Sequence, residues 1–334
     1  MKAVMLLSGG LDSLLAARVI LEQGVELEAL NFFTIFCNCT PKSRCCSSAA
    51  SAVRQLGIQL KVINNTQDFL NVVRNPAHGY GSNLNPCIDC RILMFRKAGE
   101  YMHRTGASFI VTGEVLGERP MSQRRKAMKL IEKESGLQGL IVRPLSAANL
   151  EPSLPEQQGW IDRAKMLGIR GRSRKPQIAL AASYGLKDYP CPAGGCLLTD
   201  PIFAARMRDL MQHQPDFSVS DVLLLKLGRH LRLTDSTKVI VGRDQSENER
   251  LKSLAREGDE LFEAAEVPGP LTLLRGRIGS FERLAAAKIT LTYGKARARV
   301  RAAVRVSSHQ GSILQERVVA PLDAGEAETM RIGR

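Results

Sequence analysis

Ala3-Val4-Met5-Leu6-Leu7-Ser8-Gly9-Gly10-Leu11-Asp12-Ser13-Leu14-Leu15 reads as a strand, a glycine turn and the start of a helix. The apolar run Ala3–Leu7 has the length of a buried strand. Leu14, Leu15, Val19 and Leu21 continue the chain at helical spacing. This geometry grips a phosphate: two glycines let backbone N–H groups approach an anion, and the helix N-terminus adds partial positive charge. No lysine follows at the Walker position, which excludes the GxxxxGK[ST] loop.

Working outward, Glu26–Phe33, Ile58–Ile63, Ser108–Val111 and Leu140–Val142 read as strands. Ser47–Leu56, Arg91–Arg104 and Gln123–Glu134 read as helices between them. Repeated βα units predict an α/β fold, a doubly wound parallel sheet with helices on both faces. Ligands of such sheets bind beyond the carboxyl ends of the strands, where the glycine turn lies. Asp162–Leu167 and Gln177–Tyr184 read as closing helices. Pro190-Cys191-Pro192-Ala193-Gly194-Gly195-Cys196 interrupts regular structure, and a domain boundary is expected near residue 200. Residues 201–320 read as a smaller α+β domain, with helices over Ile202–Met211 and Glu247–Arg256. Its strands are expected over Lys238–Val241, Leu271–Leu274, Lys288–Tyr293 and Lys295–Val306. Residues 321–334 read as a loose tail.

The chain has 334 residues, 44% hydrophobic and 24% charged, enough for two ordinary cores. No apolar stretch reaches the ~20 residues of a membrane helix. The short N-terminal apolar run ends in the glycine turn, unlike a signal peptide. A cytoplasmic protein without a membrane partner is expected. Net charge is +14, which points to a polyanionic partner, nucleic acid first. The cations cluster: 271–305 holds nine Lys/Arg against Glu282 alone, 163–175 six against none, and 119–133 six against Glu132 alone. Lys295, Arg297, Arg299, Arg301 and Arg305 alternate with small apolar residues, which predicts an RNA-facing strand rather than a merely solvated edge.

Eight cysteines in a reducing compartment point to metal or catalysis more than to disulfides. Cys87-Ile88-Asp89-Cys90 stands at a loop-to-helix junction, where the helix N-terminus favours thiolate. Cys196, after two glycines, is the natural third ligand. Three cysteines can hold a four-iron cluster with one iron open, and zinc or a redox dithiol are the alternatives. Cys37, Cys39, Cys45 and Cys46 form a second group, either a zinc site or reduced thiols. The five histidines show no ligand spacing and read as structural or surface residues.

With these residues in hand, Ser8–Ser13 resembles the pyrophosphatase loop of enzymes that split ATP to AMP and pyrophosphate. Residues 1–200 resemble the PP-loop tRNA thiouridine synthetases. Thr112-Gly113-Glu114-Val115-Leu116-Gly117 with Ser122-Gln123, and Arg143-Pro144-Leu145, are similar to elements of 4-thiouridine synthetases. Asn85-Pro86-Cys87 is similar to the NPC of 2-thiouridylases. Val241–Asn248, with Pro268-Gly269-Pro270, resembles the NFACT RNA-binding domain. The resemblance implies an ATP-dependent tRNA sulfurtransferase. Ser8, Gly9, Gly10, Asp12, Ser13, Gly113 and Glu114 would bind the nucleotide. Asp12 would hold Mg²⁺, and Cys87, Cys90 and Cys196 would hold a [4Fe-4S] cluster. Cys87 and Cys196, with Asp12 and with Asp89 as acid/base or helix cap, would serve catalysis. Arg96 and Lys97 would neutralise phosphate charge, or be solvated. The sulfur donor would be a protein or inorganic sulfide. Two rivals stand beside this reading: an enzyme adenylating a small molecule, and a non-catalytic RNA-binding sensor.

Overall fold

The computed structural model describes residues 1–37, 45–186, 189 and 196–333, with 45–48 as backbone only. Cys39, the side chains of Cys45 and Cys46, and the 190–195 part of the proline-glycine segment lie outside the described residues. Two compact units result, Met1–Thr199 and Asp200–Arg334.

In the first unit, strand β1 (Lys2–Leu6) leads into α1 (Leu11–Leu21). Then come β2 (Glu26–Phe33), α2 (Cys45–Leu56), β3 (Gln59–Asn64), α3 (Thr66–Arg74), α4 (Cys87–Thr105), β4 (Phe109–Thr112), α5 (Arg125–Ser135) and β5 (Ile141–Val142). Short α6 (Leu154–Gln157) and α7 (Lys175–Ser183) follow. The sheet is parallel, in order β3-β2-β1-β4-β5. Period-two alternation decides which residue meets which helix. Ala3, Met5 and Leu7 pack in one core with Leu14, Leu15 and Ala181, whereas Val4 and Leu6 pack in another with Ile92, Phe95 and Met102. Both faces are therefore covered, as the continuous apolar run of β1 requires. Sheet order reverses between β1 and β4, which places the Ser8–Ser13 loop at the switch point where doubly wound folds open a crevice.

Helix α3 was not anticipated, although Phe69, Leu70 and Val73 are buried at helical spacing. The expected helix over Asp162–Leu167 is only a single 3₁₀ turn, Arg163–Lys165. Arg163 donates to the Ala147 and Leu150 carbonyls, at 2.7 and 2.8 Å, and so ties the segment to its neighbours.

The second unit runs α8 (Pro201–His213), α9 (Val219–Leu225), β6 (Arg229–Thr234), β7 (Thr237–Val241), α10 (Gln245–Leu254), β8 (Glu260–Ala264) and β9 (Thr272–Gly276). It continues with α11 (Ser280–Thr292), β10 (Ala302–Ser308), β11 (Ile313–Val319) and α12 (Ala324–Thr329). Its sheet is antiparallel, ordered β11-β10-β8-β9-β7-β6. Val239 and Val241 pack in a core with Ala286 and Ile289 of α11. Ile240, between them, packs with Leu224 and Leu251 of α9 and α10.

Three expectations for this unit are corrected. Lys288–Tyr293 is not a strand but the end of α11, whose Ile289 and Leu291 join the core. Lys295–Val306 is not one strand: Lys295–Ala298 is a 3₁₀ turn and pairing begins at Ala302. Only Ala296 of that turn is buried, and Val300, expected on an apolar face, is 89% exposed. Residues 321–334 are not a loose tail. Ala327 is fully buried, Leu231 bridges Arg331, and the Ile332 N–H donates to the His230 carbonyl.

Candidate active site

Gly9 adopts φ +79°, a left-handed conformation that a side chain would strain. The chain can thus turn from β1 into α1 within four residues. Ser8 Oγ accepts from the Gly10 N–H at 3.3 Å and lies 3.2 Å from Ser13 Oγ. Ser13 Oγ donates to the Gly10 carbonyl at 2.8 Å. The first N–H groups of α1 have no carbonyl one turn earlier and are available to an anion.

The Thr112–Gly113 corner of the neighbouring strand closes this loop from the side. A Cβ on Gly113 would stand 2.5 Å from the Ser13 nitrogen and 2.6 Å from the Asp12 carbonyl oxygen. Only glycine permits that approach.

Around Asp12 the polar groups are buried and underused. Asp12 Oδ2 accepts from Arg174 at 3.1 Å. Among the described residues, Asp12 Oδ1 and Arg174 Nε have no hydrogen bond, and Gln177, against Asp12 and fully buried, has neither amide atom in a well-formed one. Each such atom costs about 1–3 kcal/mol, so a cluster of them at a strand-end crevice marks a ligand site. Burial holds the Asp12 carboxyl above its usual value despite Arg174. Glu118 is likewise raised, by burial and then by the charge of Asp12. Two carboxyls in one field, one with an orphaned oxygen, fit a hard cation. Gln123 holds Glu118 and Arg119 in place: its carbonyl accepts from Gly117 N at 2.7 Å and its Oε1 from Arg119 N at 3.0 Å. Sequence reasoning missed Arg174, Gln177 and Glu118. The basic run 163–175 was the available signal, but it read as an RNA surface.

Glu114, expected in the nucleotide pocket, is buried between two arginines. Oε2 pairs with Arg143 Nε at 3.0 Å and Oε1 with Arg91 Nε at 3.4 Å. Arg143 also pairs with Glu132 of α5. One buried network therefore joins the Gly113 corner, the Arg143-Pro144-Leu145 element and the cysteine helix α4.

Cys87 opens α4, and its Sγ accepts from Asn85 Nδ2 at 2.9 Å. Backbone hydrogen bonds from Leu197 N to Phe36 O (2.9 Å) and from Leu84 N to Leu198 O (3.1 Å) bring Cys196 to this place. They bring Cys37 as well, which the sequence grouped with Cys39, Cys45 and Cys46. The thiol of Cys90 is pushed up to about 12, first by burial and then by Cys196, Cys87 and Cys37 nearby, against Arg91. At Cys90 burial thus outweighs the thiolate-favouring helix N-terminus. Among the described residues no three His, Cys, Asp or Glu side chains stand at metal-holding distance. The donor set of neighbouring thiols is nonetheless that of iron–sulfur or zinc sites rather than of a hard cation.

Asp89 accepts from the Ala77 and His78 N–H groups, both at 3.1 Å, and contacts His78 Nδ1 at 3.1 Å. These bonds fasten the loop before α4 and support a structural role over acid–base chemistry. His78 also reaches Glu134 at 3.2 Å, and its carboxylate partners, Asp89 first, raise its pKa. Arg96 donates to the Glu134 carbonyl at 2.8 and 3.0 Å, and Lys97 pairs with Asp68. Both side chains are thus engaged by protein partners. In the second unit Lys295, Arg297, Arg299, Arg301 and Arg305 are all exposed. Arg275 and Arg283 of the same basic run are instead held by Asp259, Asp221 and Glu260.

Two family models match, one within each unit. Residues 1–154 match the family model described as thiamine biosynthesis protein (ThiI), and residues 228–331 that of the NFACT protein RNA binding domain. A probable tRNA sulfurtransferase of Methanosarcina mazei is 31% identical over 129 residues, covering 35% of this chain and 29% of its own. The tRNA-specific 2-thiouridylase MnmA of Rippkaea orientalis is 26% identical over 242 residues, covering 69% and 64%. This chain therefore spans less than a third of the first relative's length. A 4-thiouridine synthetase solved with RNA and ATP shares 28% identity over 43% of this chain and 36% of its own, at a TM-score of 0.36. The first unit is accordingly similar to the ThiI family over residues 1–154, and the second unit to the NFACT RNA-binding domain over residues 228–331.

Proposed function

We propose that this protein is an ATP-dependent tRNA sulfurtransferase. The observation that carries the reading is the loop–corner contact: Gly113 closes on Asp12 and Ser13 beside buried, unpartnered polar atoms. Backbone N–H groups of Ser8–Ser13 would hold the phosphates of ATP, with Arg174 beside them. Asp12, through its orphaned Oδ1, would be a ligand of Mg²⁺. A uridine carbonyl oxygen attacks the α-phosphorus and pyrophosphate leaves, so a poor leaving oxygen becomes part of AMP. A sulfur nucleophile then forms the C–S bond as AMP departs. Cys87, Cys90 and Cys196, with Cys37 as a fourth thiol nearby, are the residues that would hold a [4Fe-4S] cluster, which supplies a site for that sulfur when bound. The alternative sulfur carrier is a persulfide on one of these cysteines. The donor is a protein or inorganic sulfide, and the exposed Arg/Lys of the second unit hold the tRNA backbone. Such chemistry belongs in the cytoplasm.

Asp12→Ala is expected to abolish tRNA-dependent pyrophosphate release and leave tRNA affinity nearly intact. Pyrophosphate release that needs no tRNA would instead indicate a small-molecule adenylating enzyme. RNA binding with no pyrophosphate release in the wild type would indicate a sensor. Anaerobic purification with iron and sulfide assays tests the cluster. A colourless, iron-free protein that still thiolates tRNA would select the persulfide.

A further inference from the structure

Lys238 stands in the middle of a cation row. Antiparallel pairing sets it opposite Arg232 of β6 on one side and opposite Arg275 of β9 on the other. Like charges directly opposite on adjacent strands repel, and both arginines are neutralised. Arg232 is paired with Asp209. Arg275 is held by Asp259 and Asp221, and Arg256 by Asp221 at 3.3 Å. Lys238 is not: among the described residues its ammonium has neither an ion pair nor a hydrogen bond. It is only 5% exposed. A buried, unpaired ammonium is among the costliest groups a fold can hold.

Lys238 lines a cavity of about 200 Å³, with Arg232, Arg256, Arg275 and His213 around it. Three carboxylates also line it: Asp235 and Glu257, both exposed and so screened by solvent, and buried Asp259, which Arg275 holds. Drug-sized ligands fill about 300–1,000 Å³, so this cavity is too small for a whole nucleotide and suits an oxyanion with water. Arg275 is engaged at every nitrogen by Asp259, Asp221 and the Leu254 carbonyl, so the Lys238 ammonium and the nitrogens that Asp209 and Asp221 leave free on Arg232 and Arg256 form the donor set offered to a phosphate. Burial first, and then Arg232 and Arg275, lower the lysine's own proton affinity against the opposing charges of Asp209 and Asp221, a strain that a bound anion relieves.

We infer that the Lys238 cavity is a phosphate-binding site, separate from the Ser8–Ser13 loop, that takes one phosphate group. The group can come from RNA or from free phosphate, and the chemistry of capture is the same. Inorganic phosphate would be titrated calorimetrically into the full chain, with the loop kept filled by a non-hydrolysable ATP analogue. The wild type is expected to bind one phosphate, Lys238→Met to bind about tenfold or more weakly, and Lys238→Arg to retain most of the affinity. Equal phosphate affinity in Lys238→Met would overturn the site.

A second readout needs no variant. Reductive methylation of Lys238, followed by peptide mass spectrometry, should be slowed by phosphate relative to chloride at equal ionic strength. Unchanged labelling would also overturn the site. Competition by an RNA oligonucleotide with a 5′-phosphate and by its dephosphorylated twin separates the sources. Displacement by the first alone assigns the site to an RNA end, by both to the RNA backbone, and by neither to free phosphate.

Discussion

At the scale of single residues, Gly113 is the sharpest test of the loop. Gly113→Ala would drive a Cβ into the backbone of Asp12 and Ser13, where no flexible side chain can yield. ATP-dependent pyrophosphate release should fall at least a hundredfold, as a displacement of about 1 Å at a site commonly costs, while tRNA affinity in a filter-binding assay is retained. Lys238 is a second test. Its pKa is lowered from 10.5 to about 8, so between these values the unfolded chain holds a proton that the folded chain has released. Stability therefore rises with pH across that window. Below pH 8 the buried ammonium costs on the order of 3 kcal/mol. Lys238→Met should thus be more stable than wild type in urea at pH 7, with the gap closing by pH 10. Asp12 was legible in the sequence because the loop is local. Arg174, Gln177 and Glu118 were not, because they reach Asp12 only once the chain has folded.

At the scale of elements, the buried Glu114–Arg143 pair holds the Gly113 corner, α5 and α4 in one frame. Removing one partner leaves an uncompensated buried charge. Arg143→Met should cost about 3–5 kcal/mol in urea unfolding, and Glu114→Met/Arg143→Met should cost less than the sum of the single changes. The sequence displayed both residues inside recognisable elements, yet gave no sign that they touch, since proximity between residues so far apart along the chain is a tertiary fact. The same limit explains Cys37. Its neighbours in sequence suggested a separate group, a zinc site or reduced thiols, whereas the Phe36–Leu197 hydrogen bond carries it to Cys87, Cys90 and Cys196. The misreading over 295–306 has another cause. Alternating Arg and Ala is compatible with a strand, but Gly294 ends α11 and the next turn buries only Ala296. Residues 321–334 looked loose because α12 has few apolar residues. Ala327 is its buried residue, and Leu322 and Met330 on either side pack against the same core, so truncation after residue 320 should destabilise the second unit in a thermal melt.

At the scale of the whole molecule, the βα alternation of the first unit was legible by periodicity, apart from α3 and the 3₁₀ turn read as a helix over Asp162–Leu167. The second unit was legible only in part. Antiparallel strands there are short and interrupted by buried ion pairs, which read as surface charge until Asp221, Asp259 and Glu260 are seen beside their arginines. The cations at 295–305 are exposed. Charge reversal at Arg297, Arg299 and Arg305 should weaken tRNA binding and flatten its salt dependence, by a slope of about 0.7–0.9 for each phosphate no longer neutralised. ATP affinity should be unchanged. The central claim joins the loop to a base in tRNA, and nucleoside mass spectrometry of bulk tRNA from a deletion strain tests it most directly. The account predicts that one thiouridine disappears, returns with the wild-type gene and does not return with Asp12→Ala. An unaltered set of thionucleosides in the deletion strain would contradict it.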